Sequence, residues 1–237
     1  MPLTFRYHPA IIQRYPVLAG GVILASGLRN GSTPPELAQH YQQEQVQIKE
    51  QIGETPLSSL PALAAWRAAF REFGVDPTQY RCAAEALLRR LTKKGDVPGI
   101  NTLVDIGNLV SIRYALPVAV FDMRLMTGAL TVHFADGSEH FTPLGETELE
   151  HPAPGEVVFS DESGMVAARR WCWRQSDESA ARDQTTDAII TVEAHHDSAQ
   201  ADVAHAVDDL REMLTMYAGG TLLSGILGGT HAEITVD

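Results

Sequence analysis

The chain has 237 residues and a net charge of −12, with 44% hydrophobic and 20% charged residues, which is typical of a globular rather than a disordered protein. No apolar run approaches the roughly 20 residues of a membrane helix, and the start of the chain lacks the regions of a secretory signal. We therefore expect a cytoplasmic protein without membrane association. The two isolated cysteines argue against a disulfide framework and a cysteine-based zinc site.

The first half of the chain is predicted to hold strands and then helices. The first 28 residues are predicted to be strands, because β-favouring residues alternate with glycines. Thr33, followed by two prolines, is predicted to cap a polar surface helix that runs to about Ile52. A second helix is predicted from about Ser59 to Phe73, where Gly74 ends it. Its inward stripe consists of Leu63, Trp66, Phe70 and Phe73.

The second half is predicted to be a sheet closed by a helix. Residues 118–168 show short alternating runs between turn residues, and a further strand is predicted around 189–192. The glycine-rich segment 218–237 is expected to be loose or to pair with another subunit. We thus predict one α+β domain, with a core at about 16–217 and helices packed on a mixed or antiparallel sheet. The last helix, expected to dock on that sheet, has an apolar stripe of Val203, Val207, Leu210, Leu214 and Tyr217.

Basic residues are concentrated in the first part of the chain. Residues 1–100 hold 11 Lys and Arg against 8 Asp and Glu, whereas the remainder holds 7 against 22. The overall negative charge opposes non-specific binding to nucleic acid, because that binding comes largely from phosphate neutralisation. The basic cluster is either a solvated helix face or a modest, local contact for RNA. The candidate RNA-binding residues are Arg81, Arg89, Arg90, Lys93 and Lys94.

Three short polar residues share one face of a predicted helix. Asn101, Asp105 and Asn108 follow the spacing i, i+4 and i+7. Asn and Asp are poor residues for a helix interior, because they compete for nearby backbone groups. Their side chains either hold backbone loops in place or line a pocket and orient a ligand or a water.

The run Arg169–Arg174 joins three planar cations to two indoles through the order R-R-W-C-W-R. If it is a strand, alternation places Arg170 on one face and Trp171 on the other. Arginine and aromatic side chains can grip phosphates and stack on bases. The alternative is a core pair of tryptophans beneath a solvated arginine face.

The histidine and nucleophile patterns favour neither a metal site nor covalent catalysis. His195 and His196 are adjacent, so on a strand they point to opposite faces and form a poor chelate. The sequence lacks a G-x-S-x-G elbow, and neither cysteine has a recognisable partner pattern. We therefore expect no metal and no cofactor.

Four ordered motifs resemble the B3/B4 domain of the phenylalanyl-tRNA synthetase beta subunit. They are G-V-D-P-T-Q-Y-R at 74–81, I-N-T-L-V-D-I-G-N at 100–108, L-P-V-A-V-F-D at 116–122 and R-R-W-C-W-R at 169–174. The resemblance extends from about Pro16 to Tyr217, and it is closer to the freestanding proteins built around this domain.

The resemblance implies an editing function. In the synthetase, this domain hydrolyses the ester of tRNA that carries a wrong amino acid, chiefly tyrosine, with a shaped pocket and a placed water. The matching segment here, Ala188–Glu193, makes Glu193 the candidate catalytic residue. The family's pocket histidine is Ala119 here, which implies another substrate, and the amino-acid-activating core has no counterpart, so ligase activity is not expected. The other candidate substrate-binding residues are Asn101, Asn108, Arg170 and Trp171.

The function expected from these features is tRNA binding and trans-editing by an aminoacyl-tRNA deacylase. The alternative is a module that binds RNA or a small amino-acid-like ligand without hydrolysing it. The sequence leaves the oligomeric state open.

Overall fold

Residues 3–236 are described by a computed structural model and contain six α-helices and ten strands. The helices are α1 Pro9–Arg14, α2 Pro35–Ile52, α3 Pro61–Glu72, α4 Ala83–Lys94, α5 Thr102–Tyr114 and α6 Ala199–Tyr217, with a short 3-10 helix at Leu57–Ser59. The strands are β1 Leu3–Tyr7, β2 Ala19–Ser26, β3 Val118–Asp122, β4 Leu130–Phe134, β5 Val157–Ser160, β6 Val166–Arg169, β7 Arg174–Gln175, β8 Ala188–Ala194, β9 Thr221–Leu227 and β10 Glu233–Val236.

The strands form two sheets, which confirms the α+β fold class. The six-stranded sheet has the order β10-β1-β4-β5-β6-β7 and is mixed, because β1 and β4 are parallel. The four-stranded sheet has the order β3-β8-β2-β9 and is antiparallel throughout. A main core cluster contains side chains from both sheets and from every α-helix.

Helix α6 covers one face of the four-stranded sheet, as its apolar stripe predicts. A Cβ at Gly21 of β2 would lie 2.3 Å from Val207 and 2.9 Å from Val203, so a glycine here allows the helix to approach the sheet closely. Val192 also contacts this point. Because side chains alternate along a strand, Thr191 and Glu193 of β8 face the opposite way, toward the six-stranded sheet. The alternation of β8 therefore directs Glu193 into the space between the sheets.

Two expectations for the ends of the chain are wrong. The first 28 residues are not all strand, because α1 separates β1 from β2 and Val17 lies in a turn. Residues 221–236 are not loose, since β9 pairs along β2 and β10 pairs with β1 of the same chain. Apolar residues in both terminal parts, such as Phe5 and Leu227, belong to the main core. Long-range pairing thus supplies the order that the glycine-rich composition does not suggest.

Thr33 does not cap α2. Its hydroxyl donates a hydrogen bond of 2.6 Å to Asp105 Oδ2 instead, and the residue at the helix cap is Pro34. The predicted cap is therefore wrong, and Thr33 connects the start of α2 to α5. Within residues 3–236, no helix has the length and apolar character needed to cross a membrane.

Candidate functional site

Glu193 is a buried carboxyl group held by neutral donors. Its side chain lies between the two sheets, and the residue is only 2% exposed. Oε1 accepts hydrogen bonds from the Tyr7 hydroxyl at 2.7 Å and from Trp171 Nε1 at 3.0 Å. Tyr7 lies on β1 of the six-stranded sheet, and Trp171 lies in the turn between strands β6 and β7 of the same sheet. This carboxyl group therefore joins the two sheets, and no cation among residues 3–236 pairs with it.

Burial raises the pKa of Glu193 to about 7, and the hydrogen bonds from Trp171 and Tyr7 only partly oppose that rise. Burial, and then the charge of Glu193, also raise the pKa of Tyr7 well above its ordinary value. A carboxyl group that titrates near neutral pH is suited to general acid–base chemistry, because both of its protonation states are populated. The site therefore has a group able to take up or release a proton.

Aromatic rings enclose the backbone around Glu193. Trp66 Nε1 donates to the Glu193 carbonyl at 3.3 Å. Two residues further on, the ring of His195 lies 4.5 Å from that of Trp66 and 4.8 Å from that of Trp171. Burial lowers the pKa of His195 to about 3, so the imidazole is neutral at physiological pH. His195 therefore packs as an aromatic residue, and no group of three or more His, Cys, Asp or Glu within residues 3–236 could hold a metal ion.

A small cavity opens beside the Glu193 side chain. A volume of about 70 Å³ is open to the centres of water molecules. Each sheet contributes walls, and the start of α4 contributes Ala83. Burial, and then the Cys82 thiol, raise the pKa of Cys172 well above its ordinary value, so this lining residue stays a neutral thiol and is a poor nucleophile. The remaining lining residues include Pro117, Val118, Ala119, Phe121, Phe159, Ala168, Trp171, Trp173, Arg174, Gln175, Thr191 and Glu193.

The Arg169–Arg174 run is a hairpin turn and not a continuous strand, so the predicted alternation of its side chains is wrong. Arg170 and Trp171 have φ angles of 47° and 59°, in the left-handed region that non-glycine residues rarely adopt. Trp171 N donates to the Val157 carbonyl at 2.6 Å, and Arg170 N donates to Glu156 Oε1 at 3.0 Å. Arg169, which is 5% exposed, forms an ion pair with the same Glu156. These contacts hold the turn in the conformation that brings Trp171 to Glu193.

Arg170 lies between two aromatic rings at the edge of this turn. Its guanidinium carbon is 3.9 Å from the centre of the Tyr80 ring and 4.4 Å from that of Trp173. No carboxylate among residues 3–236 forms a side-chain hydrogen bond with this guanidinium, and burial lowers its pKa from the ordinary value. The faces of the cation are thus covered by rings, while its edge donors remain available to an anion.

The structure brings only some of the predicted site residues together. Glu193, Ala119 and Trp171 line one cavity, and Ala119 pairs in register with Thr191 of β8. Asn101 lies elsewhere: its Oδ1 caps α5 by accepting from Val104 N at 3.1 Å, and its Nδ2 donates to the Ala181 carbonyl at 3.0 Å. Asn108 lies near Tyr41 of α2. These contacts favour the interpretation that the polar residues of α5 hold neighbouring segments in place over the interpretation that they line a pocket.

Four of the five predicted basic residues lie on α4, whose first residue lines the cavity, and Arg81 lies just before this helix. Arg81 is 3.8 Å from Glu85, and Arg90 is 3.6 Å from Asp96. Arg89, Lys93 and Lys94 are exposed, with no ion pair in the part of the chain that the structure describes. Lys93 is ten residues after Ala83, about 15 Å along the helix. We call Arg89, Arg90, Lys93 and Lys94 the basic face of α4.

Tyr7 is the main site residue that the sequence does not indicate. Its partner Glu193 is 186 residues away, and no motif links the two. The close approach of β1 to β2 depends on Gly20, because a Cβ there would lie 2.0 Å from the Tyr7 hydroxyl oxygen. A glycine in β2 is thus the only local signal that a bulky group approaches.

We expect Gly20→Ala to lower the free energy of unfolding by about 1–3 kcal/mol, as overpacking does. The added methyl group displaces the Tyr7 hydroxyl from Glu193. Tyr7→Phe in the same chain removes that hydroxyl oxygen and should therefore relieve the closest contact of the new Cβ. Urea unfolding of both single variants and the double variant measures this coupling. The double variant is expected to lose less stability than the sum of the singles, whereas simple additivity would contradict the contact.

The protein is thus an α+β domain in which two sheets enclose a glutamate with a pKa of about 7. Comparison with known families gives a match to the model of the B3/4 domain over residues 65–219, well over half of the chain. The chain belongs to the B3/4 domain family.

The relatives are subunits of a much larger enzyme. The chain is 28% identical over 165 residues to the phenylalanine–tRNA ligase beta subunit of Geobacter sulfurreducens, covering 60% of this chain and 20% of that protein. It is 36% identical over 77 residues to the beta subunit of Cereibacter sphaeroides, covering 32% of this chain and 9% of the other. The chain thus spans between 9% and 20% of the length of the curated relatives it matches.

The fold is also similar to a solved structure. An N-terminal fragment of the phenylalanyl-tRNA synthetase beta subunit from Pyrococcus horikoshii superposes with a TM-score of 0.50 at 13% identity. The match covers 99% of this chain and 54% of the fragment. At this identity the likeness concerns the fold alone.

Proposed function

We propose that this protein is an aminoacyl-tRNA deacylase that acts in trans on tRNA carrying a wrongly attached amino acid. The observation that carries the proposal is Glu193, a buried carboxyl group with a pKa of about 7 on the wall of a small cavity. The membership in a family whose relatives are named as phenylalanine–tRNA ligase subunits supports a tRNA ester as the substrate. Ligase activity is not part of the proposal.

In the proposed reaction, Glu193 orients a water and takes its proton. Both protein donors bind Oε1, and none of the described residues binds Oε2, which leaves that oxygen for the water. The water oxygen bonds to the ester carbonyl carbon and the bond from that carbon to the tRNA ribose oxygen breaks. Glu193 returns the proton to the leaving ribose oxygen, so the products are free tRNA and a free amino acid. A positioned base of this kind contributes roughly 10²–10⁴-fold to such a step.

The tRNA would approach along the hairpin and α4. Arg170 presents the edge donors of a guanidinium fixed between Tyr80 and Trp173, which suits a phosphate group near the end of the acceptor strand. The basic face of α4 extends to about 15 Å along the helix from Ala83, which lines the cavity, and suits phosphates of the stem. This placement would bring the ester to the cavity while the negative remainder of the chain stays away from the RNA.

We expect the variant Arg89→Ala/Lys93→Ala to bind tRNA more weakly and with a smaller salt dependence. Each lost phosphate contact lowers the slope of log K against log salt concentration by roughly 0.7–0.9. Titration of labelled tRNA at several salt concentrations measures that slope. Arg211→Ala, which removes an exposed arginine on α6, is the matched control and should leave the slope unchanged. An equal change in both variants would contradict a contact on α4.

The proposal is tested by incubating the protein with a panel of tRNAs that carry non-cognate amino acids. The parent is expected to release at least one amino acid faster than the uncatalysed rate, and Glu193→Ala is expected to lose most of that acceleration. Glu212→Ala removes an exposed carboxylate of α6 and should behave like the parent. Release at the uncatalysed rate for every pair would refute the deacylase function.

A second candidate is a module that binds RNA or a small amino-acid-like ligand without hydrolysing it. One observation favours it: Tyr7 and Trp171 already bind Glu193 Oε1, which gives this carboxyl group a structural role that needs no reaction. Salt-dependent tRNA binding together with no ester hydrolysis would support this candidate over the first.

A further inference from the structure

The chain itself supplies a phenol to the carboxyl group of the cavity. The Tyr7 hydroxyl and the Trp171 indole both donate to Oε1 of Glu193, and each distance is that of a good hydrogen bond. Two donors satisfy the two lone pairs of one carboxylate oxygen. Both donors belong to buried residues and are fixed by the sheet and the hairpin. The attacking water and a ligand group in the cavity therefore share Oε2 of Glu193, which has two lone pairs and can accept from both.

The cavity is too small for an aromatic ring. Its volume of about 70 Å³ is less than half of the roughly 150 Å³ of an apolar cavity that holds benzene. Three of its walls are rings packed in the core, those of Phe121, Phe159 and Trp171, each at most 1% exposed. Phe121 and Phe159 also pack on one another, with ring centres 5.1 Å apart. Such walls do not move aside without a loss of core packing.

The cavity also holds a hydroxyl group without a protein partner. Thr191 is two residues before Glu193 on β8, so both side chains face the cavity. The Thr191 hydroxyl forms no hydrogen bond within residues 3–236, although the residue is only 1% exposed. Thr191 and Glu193, roughly 7 Å apart along β8, thus contribute a hydroxyl group and a carboxyl group to the lining of one cavity. A buried polar pair of this kind favours a ligand that carries a matching hydroxyl group.

We propose that the Glu193 cavity binds a small hydroxylated acyl side chain, of the size of serine or threonine, and excludes aromatic ones. The inference rests on the proposed function for the identity of the ester, but the binding of the side chain can be measured without any reaction. Ala119 sets the size of the cavity from β3, and Thr191 sets its preference for a hydroxyl group.

The test uses non-hydrolysable adenosine amides that carry seryl, alanyl, phenylalanyl or tyrosyl groups, with calorimetric binding as one readout and deacylation of the matching tRNA esters as the other. The seryl amide is expected to bind the parent roughly tenfold more tightly than the alanyl amide, which is the size of about one hydrogen bond. Thr191→Val should remove this preference, whereas Thr191→Ser should keep it. Ala119→Leu should weaken all binding, and Ala201→Leu, at an exposed alanine of α6, is its control.

Each outcome separates this inference from the deacylase function. Preferential binding of the seryl amide without hydrolysis of any ester supports the inference and refutes the function. Hydrolysis of tyrosyl or phenylalanyl esters at least as fast as seryl esters overturns the inference and leaves the function standing. Binding of an aromatic amide as tightly as the seryl amide, or of no amide at millimolar concentration, also overturns it.

Discussion

Replacement of Glu156 by alanine is expected to lower the free energy of unfolding by about 3–5 kcal/mol, because it leaves a buried charge without its main partner. Arg169 and Glu156 are each 5% exposed, and their atoms Nε and Oε1 are 2.9 Å apart. A second pair of atoms, Nη2 and Oε2, lies at 3.0 Å, so the interaction is bidentate. After the substitution, Arg169 keeps only Glu150, whose side chain is about half exposed.

The same substitution also releases the turn that carries Trp171. Glu156 Oε1 accepts from the backbone N of Arg170, which has a positive φ angle. Guanidinium unfolding of the parent and of Glu156→Ala measures the loss. Glu146→Ala is the matched control, because Glu146 pairs with Arg174 at 3.4 Å on the surface and should contribute only about 0–1 kcal/mol. Equal losses in the two variants would contradict a buried ion pair beneath the hairpin.

The second large effect is on the pH dependence of stability. The pKa of Glu193 is about 7 in the folded protein and 4.5 for an ordinary glutamate. The stability that comes from this raised pKa is fully present below about pH 4.5 and is lost as the pH rises through about 7, which amounts to about 3 kcal/mol. Glu193→Gln keeps an acceptor for Tyr7 and Trp171 but cannot titrate. As the pH rises from 4.5 to 8, the free energy of unfolding of the parent should therefore fall by about 3 kcal/mol relative to that of Glu193→Gln.

Urea unfolding of both proteins between pH 4.5 and 8 measures this difference. Subtracting one free energy of unfolding from the other cancels the contributions of the titratable groups that the two proteins share. Among these shared contributions, the lowered pKa of Asp122 acts with the opposite sign, because its stabilisation is lost as the pH falls. Glu212→Gln makes the same substitution at an exposed position and is the matched control. A difference between parent and Glu193→Gln that does not change with pH would show that Glu193 is not protonated at neutral pH.

The local elements could be predicted from the sequence. The stripes on α3 and α6 gave helices close to the observed ones, because an apolar face every 3.6 residues is a local property. Glu193 could be chosen through its family motif, and the structure places it with Ala119 and Trp171 on one cavity.

The remaining features depend on contacts between distant parts of the chain. β9 has one buried residue, Leu227, and follows two glycines, so its pairing with residues 20–26 of β2 is what makes it a strand. The positive φ angles of Arg170 and Trp171 are fixed by Glu156 and Val157, so propensity alone predicts a strand there. Asn101 caps α5, and a sequence alone does not distinguish an asparagine that caps a helix from one that lines a pocket.

The most direct test of the account is the rate of deacylation of mischarged tRNA as a function of pH, with the uncatalysed rate subtracted. Glu193 accepts a proton from water only when ionised, so the rate of the parent is expected to rise with pH, with a midpoint near 7. Glu193→Gln should be slower by about 100-fold or more, without that midpoint. A parent rate equal to the uncatalysed one at every pH, or a Glu193→Gln variant with the parent's rate and midpoint, would contradict catalysis by this cavity.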